Sequence, residues 1–301
     1  MKPTSWLIDA SIYFFRYYFS PRPEHRSKSG REVSSALAFV SWLLRLLEQE
    51  QPEELALCFD ESLGTGFRHG LDATYKAQRA LPDEALIYEL LAVKHFAEHA
   101  GLACFASSVF EADDLIASLA KGAHSRQRSP VIVSRDKDLG QLLTAQSGAL
   151  LWDYGFGDPL HRDEFTARYG VEPESWALYL ALVGDPIDNI QGVTGVGPKS
   201  AAIMLRAYPD WAKLQAHVHA LETLELRGAK RLAQAISAQQ ARVSLNLQLT
   251  TLRYDALPSA DSLRRGVADI EALKALLHEW RAPATLIHRT EQVLMHENSC
   301  R

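Results

Sequence analysis

Short apolar runs, separated by stretches of helical periodicity, fill the first half of the chain and leave few folds open to it. SWLIDA (5–10), ELALCFD (54–60), ACFASSV (103–109), VIVSRDKD (131–138) and LLWDY (150–154) read as strands. Between them SALAFVSWLLRLLEQ, EALIYELLAVKHFAEHAG and EADDLIASLAKGA repeat apolar residues at helical spacing. Strand and helix in alternation predict an α/β fold, with a mainly parallel central sheet flanked by helices. From about residue 173 the pattern changes to helices, with LTTLRYD (249–255) the single strand candidate. Proline, serine and arginine in SPRPEHRSKSGRE (20–32) predict an exposed loop, whose Arg22, Arg26, Lys28 and Arg31 read as a solvated face.

The strands carry a second pattern. Asp9 closes WLID, Asp60 closes LALCFD, and Asp136 and Asp138 follow VIVS. In a parallel sheet these carboxyl ends share one edge, where open α/β folds bind ligands. Glu111, Asp113 and Asp114 open the helix EADDLIASLA. Taken singly, each acid has a structural account, since acids favour helix N-termini and aspartates form turns. Neither account explains why apolar strands repeatedly deliver acids to one edge. With Asp185 and Asp188 the set reaches nine, and like charges so confined take up protons unless cations join them. Carboxylates without a His or Cys cluster favour magnesium over zinc. Two such ions roughly 4 Å apart can clamp a phosphodiester undergoing in-line displacement. Metal-assisted hydrolysis of a phosphate ester is the chemistry expected.

A net charge of -5 argues against a nucleic-acid partner only if the acids are spread evenly. Of 37 acids, removal of the nine leaves 28 against 32 Lys and Arg, a balance of +4. The three cysteines, Cys58, Cys104 and Cys300, have neither metal-ligand nor disulfide spacing, so a reducing, cytoplasmic setting is expected. Apolar runs are too short or too interrupted for a membrane span, and an early carboxylate excludes a signal peptide. The eleven histidines are scattered and none is assigned to catalysis, while Trp42, Trp176 and Trp211 fall in helical patterns as core.

Residues 184–202, GDPIDNIQGVTGVGPKSAA, pair two aspartates with a glycine-rich hairpin. The hairpin is not a P-loop, because Pro198 separates Gly197 from Lys199 and the preceding SWALYLALVGD is helix-like rather than a strand. Together with LIDA, CFDESLGTGFRHGLDATYKAQRA, EADDLIASLA and SRDKDLGQLL, it supplies five blocks in order. In these blocks the sequence resembles the 5′-nuclease (flap endonuclease, 5′-3′ exonuclease) family, which includes the N-terminal nuclease domain of bacterial DNA polymerase I. The resemblance runs from about Leu7 to about His288, with no polymerase domain following, so a stand-alone enzyme is expected.

The resemblance implies a PIN-like nuclease core over 1–172 with a helical gateway near 64–90. It also implies a helix-three-turn-helix DNA-binding region over 173–290 and a tail over 291–301. It implies two Mg²⁺ ions, for which Mn²⁺ substitutes. Asp9, Asp60, Glu111 and Asp113 lie nearer the first ion, Asp136, Asp138, Asp185 and Asp188 nearer the second, and Asp114 close to both. Arg16 and the gateway residues Tyr75, Lys76 and Arg79 match catalytic positions, with Tyr75 stacking on an unpaired base and the cations stabilising the scissile phosphate. Gly192, Val193, Gly195, Gly197, Lys199 and Ser200 match the hairpin that grips duplex DNA, with K⁺ bridging loop carbonyls to a phosphate. The implied enzyme is a monomer that cuts DNA at 5′ flaps, nicks or free 5′ ends, with RNA-containing 5′ strands as further substrates. It leaves 5′-phosphates and serves replication and repair. Three departures stand out: Ala10 for glycine or asparagine, Gly140 for a bulkier residue, and Pro186-Ile187 between the two aspartates, which is expected to weaken the second ion's site. A smaller acidic-site RNase and a DNA-binding protein without catalysis are the alternatives. The helical half and the hairpin oppose the first, and the complete acid set opposes the second.

Overall fold

The computed structural model describes residues 3–62, 64–257 and 263–298. Its first half runs β1 (Thr4–Asp9), α1 (Ala10–Tyr18), α2 (Ser34–Glu50), β2 (Glu54–Asp60), α3 (Phe67–Leu71), α4 (Glu84–His99), β3 (Ala103–Ser107), α5 (Ala112–Ser125), β4 (Ser129–Val133) and β5 (Leu150–Trp152). The five strands form one parallel sheet in the order β3-β2-β1-β4-β5. The chain therefore winds outward from β1 through β2 to β3, then crosses back to β4. That reversal opens a crevice at the carboxyl ends of β1 and β4.

Period-two alternation explains why the sheet is covered twice. Trp6 and Ile8 of β1, Leu55, Leu57 and Phe59 of β2, and Val131 and Val133 of β4 pack on α1, α2 and α4. Leu7, Ala56, Cys58 and Ile132 face the other way, onto α5 and the helical half. Each face buries apolar surface at roughly 25 cal/mol per Å², so both layers are needed to hold the strands.

The second half runs α6 (Arg162–Tyr169), α7 (Trp176–Val183), the two-residue strands β6 (Gly184–Asp185) and β7 (Ile190–Gln191), α8 (Pro198–Ala207), α9 (Trp211–Ala216), α10 (Ala229–Ala238), α11 (Gln240–Thr250), α12 (Ile270–Glu279) and α13 (Ala284–Asn298). Among the described residues no helix is long and apolar enough to cross a membrane. Gly140 is explained by packing, because a Cβ there would lie 2.1 Å from the buried ring of Phe165.

Four expectations are corrected. LTTLRYD forms no strand: Leu249 and Thr250 end α11, where the Thr250 hydroxyl donates to Ala177 O (2.9 Å). GDPIDNI instead supplies a small antiparallel ladder, Gly184 with Gln191 and Asp185 with Ile190. The gateway over ATYKAQRA is a run of turns, not a helix. Asp72 takes the Thr74 N–H and hydroxyl (2.8 and 2.6 Å), and Lys76 has φ +52°. Finally, α12 and α13 leave the helical half to pack Leu273, Leu277, Trp280 and Leu294 on the α2–α4 face. Residues 291–298 thus continue α13 rather than form a tail, and Cys300 lies outside the described residues. The 20–32 loop is mostly exposed as expected, but His25 and Lys28 tie it to α12 through Trp280 O and Glu279 O (2.8 Å each).

Candidate active site

The sheet's topology brings Asp9, Asp60, Asp113 and Asp136 to the crevice. Asp9 ends β1 and caps α1, accepting from Ile12 N (3.1 Å) and from the Ser134 hydroxyl (3.0 Å) that follows β4. Asp60 ends β2, and its Oδ1 takes the first free N–H of α5, Ala112 N, at 2.7 Å. Asp136 accepts from Asp138 N (2.8 Å). Asp113, in the first turn of α5, makes no side-chain hydrogen bond among the described residues.

Their electrostatics follow from this crowding. Burial pushes Asp9 up to about 8, with the charges of Asp60 and Asp136 adding to it. Burial raises Asp113 well above the usual carboxylate range, and Asp136, Asp9 and Asp60 raise it further. Asp60 is raised by burial and then by Glu111.

The outer acids are held differently, each by a cation. Glu111 accepts from Lys76 Nζ (2.7 Å) and Arg68 Nη1 (3.2 Å), and these charges hold it below its ordinary range although burial opposes them. Asp188 meets Arg79 at 2.7 Å and Lys76 at 3.7 Å, and burial nonetheless raises it. Lys137 bridges Asp185 (3.0 Å) and Asp138 (3.1 Å). Burial and Asp136 still push Asp138 up to about 6. The loop carrying Asp185 and Asp188 is clasped to the gateway by Lys76 N to Asp188 O (3.0 Å), Gln78 to Ile187 O (2.8 Å) and Asn189 to Thr74 O (2.7 Å). Across Pro186, Asp185 Oδ1 accepts from Ile187 N (2.8 Å).

Several sequence assignments change. Asp114 is fully buried with both oxygens taken by Arg68 (2.6 and 2.8 Å), and Arg253 N also donates to it (2.9 Å). In this structure Asp114 is the ion-pair partner of Arg68. Tyr75 is 3% exposed, packed against Ile190 and Leu249, and its hydroxyl lies 3.0 and 3.2 Å from Glu111 and Asp188. A ring so enclosed cannot stack on a base. Arg16 pairs with Asp153 (2.9 and 2.8 Å) and lies 3.7 Å over the Phe156 ring, away from the nine acids' hydrogen bonds. Arg68 and Lys137 went unassigned in the sequence, although FRHGLD places an arginine beside an apolar anchor and RDKD places a lysine between two acids.

Among the described residues no three acid, histidine or cysteine side chains converge closely enough to hold a metal ion. The nine carboxylates share an edge but not a coordination point, because the inner four repel and the outer ones turn to cations. The donor set nevertheless fits a hard divalent ion: it is all carboxylate oxygen, and its inner members gain most from added positive charge. This has a thermodynamic consequence. The unfolded chain ionises Asp9 near 3.8, the folded chain near 8, so stability is full below the lower value and falls as pH rises between them. Saturating Mg²⁺ or Mn²⁺ is therefore expected to raise Tm more at pH 8 than at pH 6 and to release protons on binding. Calorimetry in two buffers of different ionisation enthalpy checks this; an equal Tm gain at both pH values contradicts it.

The hairpin lies directly beyond β7. Gly195 has φ +86°, and a Cβ there would meet Leu232 at 3.8 Å, whereas a Cβ on Gly197 would meet nothing within 4 Å. Lys199 is exposed in the first turn of α8, where Gly197 N donates to the Ser200 hydroxyl (3.0 Å). Two members are tied to the packing beneath the loop. A Cβ on Gly192 would lie 2.2 Å from Val183 O, so that glycine serves internal packing. Val193 is buried with its N–H given to Leu182 O (2.8 Å). Gly195→Val is expected to weaken duplex binding roughly tenfold, about 1.4 kcal/mol, while Ca²⁺ affinity holds. Fluorescence anisotropy on a duplex checks it, and unchanged affinity in a folded variant would make the hairpin a turn only.

Comparison with known proteins accords with this geometry. Residues 4–170 match the family model of the 5′-3′ exonuclease N-terminal resolvase-like domain, and 171–271 that of its C-terminal SAM fold. DNA polymerase I of Rhizobium leguminosarum is 32% identical over 262 residues, covering 83% of this chain but 24% of the polymerase. The 5′-3′ exonuclease of Aquifex aeolicus is 29% identical over 291 residues, covering 92% of this chain and 94% of that one. In fold, the chain is similar to bacteriophage T5 5′-exonuclease bound to divalent zinc ions (TM-score 0.63, 20% identity, 97% and 98% covered). The T5 flap endonuclease in a pseudo-enzyme-product complex with DNA and metal ions gives TM-score 0.64 at 19% identity over 97% and 98%. With both family models matched end to end along residues 4–271, the chain belongs to the 5′-3′ exonuclease family.

Proposed function

We propose that this chain is a Mg²⁺-dependent 5′-nuclease that cuts DNA at 5′ flaps, nicks or free 5′ ends and leaves 5′-phosphates. The observation that carries the reading is the gathering of Asp9, Asp60, Asp113 and Asp136 at the carboxyl edge of the sheet, where burial and neighbouring carboxylates raise Asp9, Asp60 and Asp113. Asp9, Asp60, Glu111 and Asp113 would hold one ion, and Asp136, Asp138, Asp185 and Asp188 a second. Such ions supply the positive charge against which a phosphodiester is hydrolysed.

The chain's own residues do the rest. Asp9 and Asp60 are held rigid by Ser134, Ile12 and Ala112, so the inner carboxylates keep their spacing. Lys76 and Arg79 stand at the outer rim, where they can exchange a carboxylate partner for a phosphate oxygen. A cleft of about 420 Å³ opens there, with Phe15, Phe19 and Leu81 along its apolar side and Asp60, Lys76, Arg79 and Glu111 along its polar side. Phe19 is 74% exposed, so it offers the unpaired base the platform that Tyr75 does not. Gly195, Gly197, Lys199 and Ser200 hold the duplex backbone, with K⁺ at the hairpin. A reducing, cytoplasmic setting accords with the free thiols of Cys58 and Cys104, and the enzyme is taken to act as a monomer.

The test is cleavage of a 5′-flap, a nicked duplex and a single strand, with and without Mg²⁺. Metal-dependent release of 5′-phosphorylated product supports the reading. Flap binding without cleavage in Mg²⁺ or Mn²⁺ overturns it in favour of a non-catalytic DNA-binding protein.

A further inference from the structure

We propose that Arg68 is a positioning residue for Glu111, and that it joins the acid cluster to the helix supporting the DNA-gripping hairpin. The inference rests on the nuclease reading above, but on geometry that reading does not use. Arg68 sits in α3, the five-residue helix before the gateway, and is 4% exposed. One edge of its guanidinium grips Asp114 with two bonds of 2.6 and 2.8 Å, and Nη1 also reaches Glu111 Oε2 at 3.2 Å. Its Nε donates to Leu249 O at 2.7 Å and its Nη2 to Thr251 O at 3.3 Å, both at the C-terminal end of α11. A planar five-donor group is suited to this, because it satisfies carboxylates and carbonyls in one fixed plane.

The middle of α11 reaches the hairpin. Asn246, 1% exposed, donates to Ala181 O (2.9 Å) and to Gln191 O (2.8 Å), the residue just before Gly192. One rigid helix therefore touches the root of the duplex-binding loop and, through Arg68, the carboxylate of Glu111. Asp114 completes the arrangement as the counter-charge that fixes the guanidinium, and its Oδ2 also takes Glu111 N (3.2 Å). Of the eight acids assigned above to the two ions, Glu111 is the one that Arg68 touches, and so the one tied through it to this helix.

Arg68→Lys keeps the charge and loses the plane. In that variant Ca²⁺ affinity, measured by calorimetry, is expected to fall about tenfold, within the range found when groups that orient metal-binding residues are changed. Affinity for a 5′-flap by anisotropy is expected to stay within about threefold of the parent. The discriminating measurement is a double-mutant cycle with Glu111→Gln. If Arg68 acts through Glu111, adding Arg68→Lys to Glu111→Gln changes Ca²⁺ affinity no further; additive losses overturn the proposal and leave Arg68 a purely structural ion pair. Should Arg68→Lys fold poorly by circular dichroism, Arg68→Met with Asp114→Leu replaces the whole buried pair by apolar side chains of similar volume. The same cycle on that background decides the matter, since a direct metal role for Asp114 would give additive losses. Absence of Ca²⁺ binding in the parent protein itself would instead refute the nuclease reading.

Discussion

Asp113→Asn is expected to lower single-turnover cleavage of a 5′-flap by about 10³-fold or more while leaving duplex affinity nearly unchanged. The two effects separate because Asp113 lies in the inner acid group and the hairpin residues Gly195 to Ser200 lie beyond β7. A third effect has the opposite sign. Asp113 is forced toward its protonated form by burial and by Asp136, Asp9 and Asp60, whereas in the unfolded chain it ionises near 3.8. The metal-free wild-type protein therefore loses stability as pH rises above that value, and an asparagine avoids the loss. Metal-free Asp113→Asn should melt higher than wild type at pH 8, by about 2–4 °C for each kcal/mol relieved, and the gain should vanish near pH 4. Single-turnover kinetics beside differential scanning calorimetry test both halves. Wild-type turnover in saturating Mg²⁺, or a lower metal-free Tm at pH 8, would reject the assignment.

Lys76→Ala is expected to cut single-turnover cleavage about 10²-fold, near 2.7 kcal/mol, with little change in flap affinity measured in Ca²⁺. Lys76 stands 2.7 Å from Glu111 and 3.7 Å from Asp188, so it joins the acids expected for the two different ions. Its ammonium is held above its ordinary range by Glu111 and Asp188, against the opposing effect of burial, and so stays charged throughout the working pH range. When a phosphate enters, that charge is available to it only if the metal ions take over the carboxylates. The loss should thus appear in the rate and not in binding. A fall in affinity alone, with reduced salt dependence, would make Lys76 a docking residue.

Much of this was legible in the chain. Apolar runs ending in Asp9 and Asp60, with acids following VIVS, stated both the parallel sheet and the edge where its acids gather, because period-two burial and strand direction are local properties. The hairpin was legible for the same reason: GVTGVGPKS carries its turn chemistry in consecutive residues. Glycine 195 needs its positive φ whatever surrounds it.

Other features depended on partners far along the chain. EADD offers two adjacent aspartates of equal chemistry, yet Asp113 faces the other acids while Asp114 is buried against Arg68, 46 residues away. Tyr75, Lys76 and Arg79 read as parts of one helical gateway, but α3 ends before Asp72 and the turns that follow bury Tyr75 under Ile190 and Leu249. Likewise, nothing local in α12 or α13 says that Trp280 and Leu294 return to the α2–α4 layer. Sequence by itself determined which residues are apolar, which acids close the strands, and where the backbone must turn. Tertiary structure alone decided which carboxylates meet cations and which meet one another, because pairing energy depends on distance and burial rather than on residue type.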